Sequence, residues 1–338
     1  MLSVSVLMPC FNASETLPAA LGSLTAQTLV DFQVIAVDDG STDGTRQLLE
    51  TWAAQDKRIQ LVSQAHQGIV VALNLGVDLC QAEYIARMDA DDISHPARFT
   101  RQAEFLDQHP EIALVGSQVR GYPPDQIREG FSVYMDWQNA LLSDQEIRRE
   151  IFVESPLAHP SVMMRTADLL EVGGYQEHGW PEDYDLWLRF YQAGKRFAKL
   201  PEMLLDWREH PGRLTRQDSR YSLENFLRTK AHYLVQGPLQ GRDALLIWGA
   251  GMTGRRLSKH LLRKGAPLQA FVDIDPQKIG RTRHGLPILP PSDLLGWWRR
   301  AANPVVLAAV GARGARKLIR EFLTDSGLQE GLDWWGVA

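Results

Sequence analysis

The sequence predicts an α/β protein: a mostly parallel sheet in an N-terminal domain, followed by a second, smaller α/β domain. Three observations predict it. Over the first ~90 residues, apolar runs with strand alternation take turns with segments of helical spacing. A short polar motif falls just after each of these runs, at what would be the carboxyl edge of a sheet. From Ala244 a second strand–loop–helix series begins, opened by a glycine-rich loop.

In chain order, Ser3–Met8 reads as a strand that stops at Pro9. Ser14–Thr28 carries Leu17, Leu21 and Leu24 at helical spacing, with Ser14 in position to cap it. Phe32–Val37 is a second strand running into Asp38-Asp39, and Thr42 can cap a helix over Asp43–Ala54. Strand Ile59–Val62, helix Gln67–Leu79 and strand Tyr84–Met88 complete a βαβαβαβ series, which implies parallel strands joined by right-handed crossovers. From Gly116 to Pro201 the pattern is less regular, apart from a helix over Glu182–Ala193 with acids in its first turn. Gly212-Arg213-Leu214-Thr215-Arg216 reads as a flexible basic loop. Tyr221–Val235 reads as the helix closing a first domain over residues 1–236, and Gly237-Pro238-Leu239-Gln240-Gly241 as a linker. The second domain, residues 241–338, has strands at Leu245–Trp248, Gln269–Val272 and Val305–Val310, with a helix running to Lys264.

Bulk properties narrow the function. A chain of 338 residues, 44% hydrophobic and 23% charged, suits a globular protein of two domains. A net charge of −5 argues against a dedicated nucleic-acid binder. The two cysteines, Cys10 and Cys80, lack metal-ligand spacing and read as packing residues in a reducing compartment. The N-terminus has no basic stretch of a secretory signal, and no apolar run approaches the ~20 residues of a membrane span. These readings point to the cytoplasm, with the inner face of the membrane left open.

Two acidic turns invite chemistry. Asp38 and Asp39 precede Gly40-Ser41, where carboxylates can accept hydrogen bonds from a base imide or a ribose hydroxyl, or serve an ordinary Asx turn. After Tyr84–Met88, the carboxylates of Asp89, Asp91 and Asp92 crowd together and repel one another unless a cation sits among them. On an extended backbone Asp89 and Asp91 share a side, so one can hold a ribose hydroxyl or water while the other binds Mg²⁺ or Mn²⁺. The plain alternative is a solvated turn capping the helix after His95-Pro96.

These motifs together resemble glycosyltransferase family 2: Val6-Leu7-Met8-Pro9-Cys10-Phe11-Asn12, Val37 through Asp43, Gly68 through Ala72 with Asn74 and Gly76, and Arg87 through Asp92. Their order and spacing match over roughly residues 1 to 215. The resemblance implies a GT-A fold, a nucleotide-sugar donor and an inverting transfer. It puts Pro9, Asn12 and Asp39 near the donor base with Asp38 beside them, and Asp89 near the ribose and diphosphate. It makes Asp91 the principal protein ligand of the metal, and Asp183, in Trp180-Pro181-Glu182-Asp183-Tyr184-Asp185, the catalytic base. His210 resembles a late histidine that reaches the metal or diphosphate. Arg213 and Arg216 fall in the loop that closes over the donor, where this chain has Gly212-Arg213-Leu214-Thr215 instead of the family's serine-rich form. A hydroxyl nucleophile needs such a base, and Glu182 and Asp185 would raise the pKa of Asp183. Acids at a helix start are also ordinary dipole chemistry. His159 could contact acceptor or donor sugar, or be a satisfied structural histidine.

In the second domain Gly249, Gly251 and Gly254 match G-x-G-x-x-G between a strand and a helix, and Asp273 ends the next strand where a ribose-binding acid belongs. Phe271 through Pro276 and Gly285 through Leu289 resemble the Rossmann-like domain found beside some sugar-modifying enzymes. Such a domain either binds a nucleotide or sugar nucleotide, or is a structural or oligomerising module that keeps the loop. Trp297-Trp298-Arg299-Arg300 and Trp334-Trp335 suit packing between the two domains, or a membrane surface.

The expectation is a metal-dependent inverting glycosyltransferase using Mn²⁺ or Mg²⁺. The donor would be a UDP-sugar, the family's commonest case, and the acceptor a hydroxyl of a glycan or lipid-linked molecule. Acceptor contacts would come from Tyr122–Arg149, which carries no readable motif. The rivals are an NAD(P)-dependent oxidoreductase and a non-catalytic nucleotide-sugar-binding protein, both resting on the second domain.

Overall fold

The strands β1 (Val4–Cys10), β2 (Phe32–Asp38), β3 (Ile59–Ser63) and β4 (Tyr84–Arg87) are parallel and lie in the order β3-β2-β1-β4. The chain is described here by a computed structural model covering residues 3–338. Covered on both faces, β1 reads as a nearly continuous apolar run. Val4, Val6 and Met8 join the main core with Leu17, Leu21 and Leu24 of the first helix and Phe99 and Leu106 of helix Arg98–Gln108. Ile35 and Val37 pack with Ala72 of helix Ile69–Leu79. Register sets Cys10 opposite Asp38 and Leu7 opposite Arg87, so the ends of β1, β2 and β4 reach one edge of the sheet together.

The same sheet continues through β5 (Ile93–Ser94), β6 (Ile112–Tyr122), β7 (Met163–Arg165) and β8 (Arg196–Arg208), giving eight strands in the order β3-β2-β1-β4-β7-β6-β8-β5. β7 is antiparallel to β4 and β6, β6 and β8 are parallel, and β5 is antiparallel to β8. The long β6–β8 pair slips register between Ser117 and Val119 and again near Ile112. Such irregularities break period-two alternation, which is why this region looks patternless in sequence.

Two helix starts differ from expectation. The first helix is Leu17–Thr25, with a proline in its first turn, and Ser14 does not cap it. Its N–H instead meets the Asp43 carboxylate at 3.1 Å. The second helix is Thr45–Gln55, because Asp43 accepts the Thr45 N–H at 2.9 Å and its hydroxyl at 2.6 Å and so turns the chain before it can coil.

The chain divides into two compact units. One comprises the residues up to Ile147 with Pro156–His178 and Glu182–Gln217; the other comprises Arg148–Ser155, Gly179–Pro181 and Asp218–Ala338. Helix Leu223–Gln236, read from sequence as closing the first domain, groups with the second unit.

The second unit carries β9 (Ala244–Trp248), β10 (Leu268–Val272), β11 (Thr282–Arg283), β12 (Leu286–Leu289), β13 (Pro304–Ala308) and β14 (Trp334–Gly336), in the order β11-β12-β10-β9-β13-β14. All pairs are parallel except β11–β12. From β9 the chain builds outward through β10 to β12, then crosses back to lay β13 and β14 on the other side, so its direction of winding switches between β9 and β13. Trp334 is wholly buried, and Trp297 and Trp298 pack on the same core as Leu246 and Trp248. These tryptophans serve the core of their own unit, where the sequence suggested packing between domains. Among the described residues no helix is long and apolar enough to cross a membrane.

Candidate active site

The first layer of the site is the loop after β1 and the turn after β2. Asn12 takes a left-handed conformation (φ 48°), which asparagine tolerates better than most residues. In it, Oδ1 accepts the Thr42 N–H at 2.8 Å and the backbone N–H donates to Ser41 Oγ at 3.0 Å. Pro9 lies beside Val37 in the β1–β2 ladder. Asp38 accepts the Ser41 N–H at 3.1 Å. Asp39, also buried, accepts the N–H groups of Gln67 and Gly68, each at 2.9 Å, and the Gln64 amide at 2.6 Å. Its carboxylate therefore builds the loop before helix Ile69–Leu79. His66 Nδ1 lies 2.9 Å from Asp39, and the His66 ring stacks on Phe11 with centroids 4.1 Å apart. Phe11 is 46% exposed, an aromatic face open beside Asn12. Its exposure could not be read from sequence, because an apolar residue after a strand looks like core.

The second layer is the turn after β4. Oxygens of Asp89, Asp91 and Asp92 lie within 4.8 Å of one another. Only the turn brings Asp92 in; strand alternation would have pointed it away. One Asp92 oxygen accepts the Arg208 N–H at 2.7 Å, while the other is buried with no hydrogen-bond partner among the described residues. Burial, then the charges of Asp91 and Asp89, push the Asp92 carboxyl well above its ordinary range. Asp89 is raised too, chiefly by burial. Three crowded carboxylates, one with an orphaned oxygen, match the hard-oxygen donor set of a divalent cation. His210 Nε2 lies 2.8 Å from Asp91, so a nitrogen donor adjoins the cluster.

Arg87, at the end of β4, lies buried beside this cluster. Its Nη2 lies 2.6 Å from Asp89 Oδ1. Its charge is also felt at Asp183, at the start of helix Glu182–Gln192. Asp183 is half-buried and accepts the Tyr184 N–H at 2.7 Å. Burial, then the neighbouring Glu182 carboxylate, push it up to about 8. At Cys10 the fields of Asp38, Arg87, Asp89 and Asp91 overlap, and burial raises that thiol far beyond reactivity. Asp38, Asp89 and Asp91 thus all act on Cys10, and the Arg87 charge acts on both Asp89 and Asp183. His159 is buried with Nε2 2.8 Å from the Tyr175 hydroxyl, and burial holds it neutral, as a satisfied structural histidine would be.

The predicted flexible loop is pinned. Buried Glu209 pairs with Arg213 at 3.1 Å and also with Arg216. The Arg213 guanidinium lies 4.7 Å from the Trp207 ring centroid and 5.2 Å from that of Phe131. Leu214–Gln217 is a short helix. Glu209 and Arg87 are the site residues that sequence reasoning passed over; only tertiary neighbours give them work.

The second unit has its own crevice. Gly249 (φ 117°) approaches β13 so closely that a Cβ would lie 2.7 Å from the Ala309 carbonyl oxygen; at Gly254 it would lie 1.8 Å from that of Gly249. No side chain fits at either position. Asp273 accepts the N–H groups of Ala250 at 2.9 Å and Asp275 at 3.0 Å, and Lys278 lies 3.3 Å away. Beyond them a cavity of about 530 Å³ opens at the ends of β9, β10 and β13, walled by Trp248, Met252, Ile274, Val310, Leu318 and Phe322.

The larger sheet, with its acidic turns at the strand ends, defines a glycosyltransferase of the GT-A kind. A crystal structure of a fragment (residues 1–349) of S. aureus TarS in complex with UDP-GlcNAc superposes with a TM-score of 0.57 at 20% identity, over 70% of this chain and 68% of that one. The chain belongs to glycosyl transferase family 2, whose model matches residues 5–173. The amylovoran biosynthesis glycosyltransferase AmsE of Erwinia amylovora is 32% identical over 204 residues, covering 60% of this chain and 74% of that protein. The UDP-Gal:alpha-D-GlcNAc-diphosphoundecaprenol beta-1,3-galactosyltransferase of Escherichia coli is 26% identical over 207 residues, covering 60% and 73%.

Proposed function

We propose that this glycosyltransferase is metal-dependent and inverting, moving a sugar from a UDP-sugar to a hydroxyl of a glycan or lipid-linked acceptor. The observation that carries the reading is the grouping of Asp89, Asp91 and Asp92 within 4.8 Å, with His210 on Asp91. Asp91, with His210, would hold Mn²⁺ or Mg²⁺, and Asp89 would lie toward the ribose and diphosphate. When bound, the cation would offset the charge that gathers on the leaving diphosphate. Arg213 supplies further positive charge near Asp89 and Asp92. Pro9, Asn12, Asp38 and Asp39 frame the base subsite, with the open Phe11 ring as a stacking face. Asp183 takes the proton from the acceptor hydroxyl as that oxygen bonds to the anomeric carbon. A base pushed up to about 8 is strong enough for this and is charged in mildly alkaline solution. One base and one external acceptor give a single displacement, hence inversion. The UDP donor and lipid-linked acceptor named for the Escherichia coli relative, and the UDP-GlcNAc bound to TarS, support the donor and acceptor classes.

The experiment is a panel of UDP-sugars with Mn²⁺, scored for nucleotide release and then for product by mass spectrometry. Asp183→Asn should keep UDP binding and lose transfer by a factor of about 10² to 10⁴. Unchanged turnover would remove Asp183 from the role of base.

For the second unit we propose a Rossmann-like domain in which Gly249, Gly251, Gly254 and Asp273 frame a nucleotide site. The cavity of about 530 Å³ at the winding switch between β9 and β13 favours this over a purely structural module. Calorimetric titration of the full chain with UDP, a UDP-sugar and NAD separates sugar-nucleotide binding from the redox alternative. Silence with all three, or equal titres in Gly251→Val, would return the unit to a structural role.

A further inference from the structure

Arg87 is 1% exposed. Burying a guanidinium is costly unless its charge and its five N–H donors are used. One edge is used, by Asp89 at 2.6 Å. Nε and Nη1 are closed to solvent and have no hydrogen-bond partner among the described residues. The backbone beneath is held firmly: the Arg87 N–H donates to the Val162 carbonyl at 2.9 Å, and its own carbonyl accepts from Arg98 Nη2 at 2.7 Å. A position needed only for packing would hold an apolar side chain. Instead a rigidly mounted cation is held against the turn Asp89–Asp92 through Asp89, and its field reaches the helix start Glu182-Asp183.

We propose that Arg87 is a positioning residue for sugar transfer, clamping Asp89 within the carboxylate cluster and holding an unspent positive charge behind the catalytic turn. The inference rests on the reading of Asp183 as the base. The charged or titratable groups whose fields meet there are Glu182 on the same helix, Tyr175 on the preceding loop and Arg87 on β4. Glu182 opposes ionisation of Asp183 and Arg87 favours it. The guanidinium fork also suits the clamp, since one edge can hold Asp89 while the charge remains unneutralised on the other side.

The test is the pH profile of kcat for nucleotide release, using the most active UDP-sugar of the panel with Mn²⁺. Arg87→Gln removes the charge, so the acid limb should move up by about one pH unit and the Mn²⁺ requirement should rise. Arg87→Lys keeps the charge but not the fork; its limb should stay in place while kcat falls about tenfold. A loss in Arg87→Gln by one factor at every pH would overturn the proposal. Should that variant not fold, Arg87→Lys decides alone: a native kcat, or a limb displaced like that of a neutral variant, is fatal. Asp183→Asn run alongside separates the two ideas. If it is inactive while Arg87→Gln shows no displacement, only the Arg87 inference fails; if it is fully active, the assignment of the base itself fails.

Discussion

His210 Nε2 lies 2.8 Å from Oδ2 of Asp91, across 119 residues of chain. β5 and β8 make the meeting possible: Ile93, two residues past Asp91, pairs with Asp206, four before His210. The short antiparallel ladder thus sews the acidic turn to the histidine.

Metal binding should depend on both partners. His210→Ala should raise the Mn²⁺ concentration needed for half-maximal UDP binding by about 10- to 100-fold, as losses around a metal site commonly do. Asp91→Ala should remove Mn²⁺-dependent binding altogether. Calorimetry of UDP binding across a Mn²⁺ series reads both, and an unaltered metal requirement in Asp91→Ala would take that residue out of the site.

Asp183 should make the fold less stable as pH rises. Its folded pKa, about 8, lies above the ordinary 3.8, so between those values the folded chain keeps a proton that the unfolded chain has lost. Its contribution to stability is present below about pH 4 and is lost as pH climbs through about 8. Asp183→Asn should therefore raise the Tm relative to the native protein at pH 8 and leave it nearly unchanged at pH 4. Calorimetric Tm values at the two pH values check the sign, and a larger gain at pH 4 would contradict the assignment.

Glu209 should matter more for stability than its place in a loop suggests. It is buried and is the shared partner of Arg213 and Arg216. Glu209→Ala strands both cations and should cost about 2 kcal/mol in urea unfolding. It should also raise KM for the donor, because Arg213 loses its anchor. A variant with native stability and native KM would show that the loop is held by other contacts.

In the second unit, two neighbouring glycines should respond oppositely. Gly254→Ala forces a Cβ to within 1.8 Å of the Gly249 carbonyl oxygen, whereas at Gly251 nothing lies within 4 Å of the added atom. Thermal unfolding should be lowered clearly by Gly254→Ala and little changed by Gly251→Ala. Equal effects would mean that the loop relaxes freely.

The legible part of the site was the part carried by short stretches next to strands. Asp38 and Asp39 stand at the end of β2, and Asp89 and Asp91 in the turn after β4, where apolar periodicity ends in turn chemistry, and the glycines after β9 follow the same logic. β6, β7 and β8 were not legible, because register slips and mixed pairing directions erase alternation. Ser14 and Thr42 looked like helix caps by residue type. Asp43 drew the N–H groups of Ser14 and Thr45 instead, a competition that depends on which loop lies opposite.

By itself the sequence determined the succession of strands and helices in the first ninety or so residues, the acidic turns, the glycine loop and the family resemblance, since periodicity and turn preference act over a few neighbouring residues. Only the tertiary structure decided that His210 meets Asp91, that one Asp92 oxygen is buried without a partner among the described residues, that Arg87 stands behind the turn buried and half-satisfied, and that Glu209 ties down the basic loop. Burial and charge pairing arise between segments far apart in the chain, and no local pattern records which segments the fold will bring together.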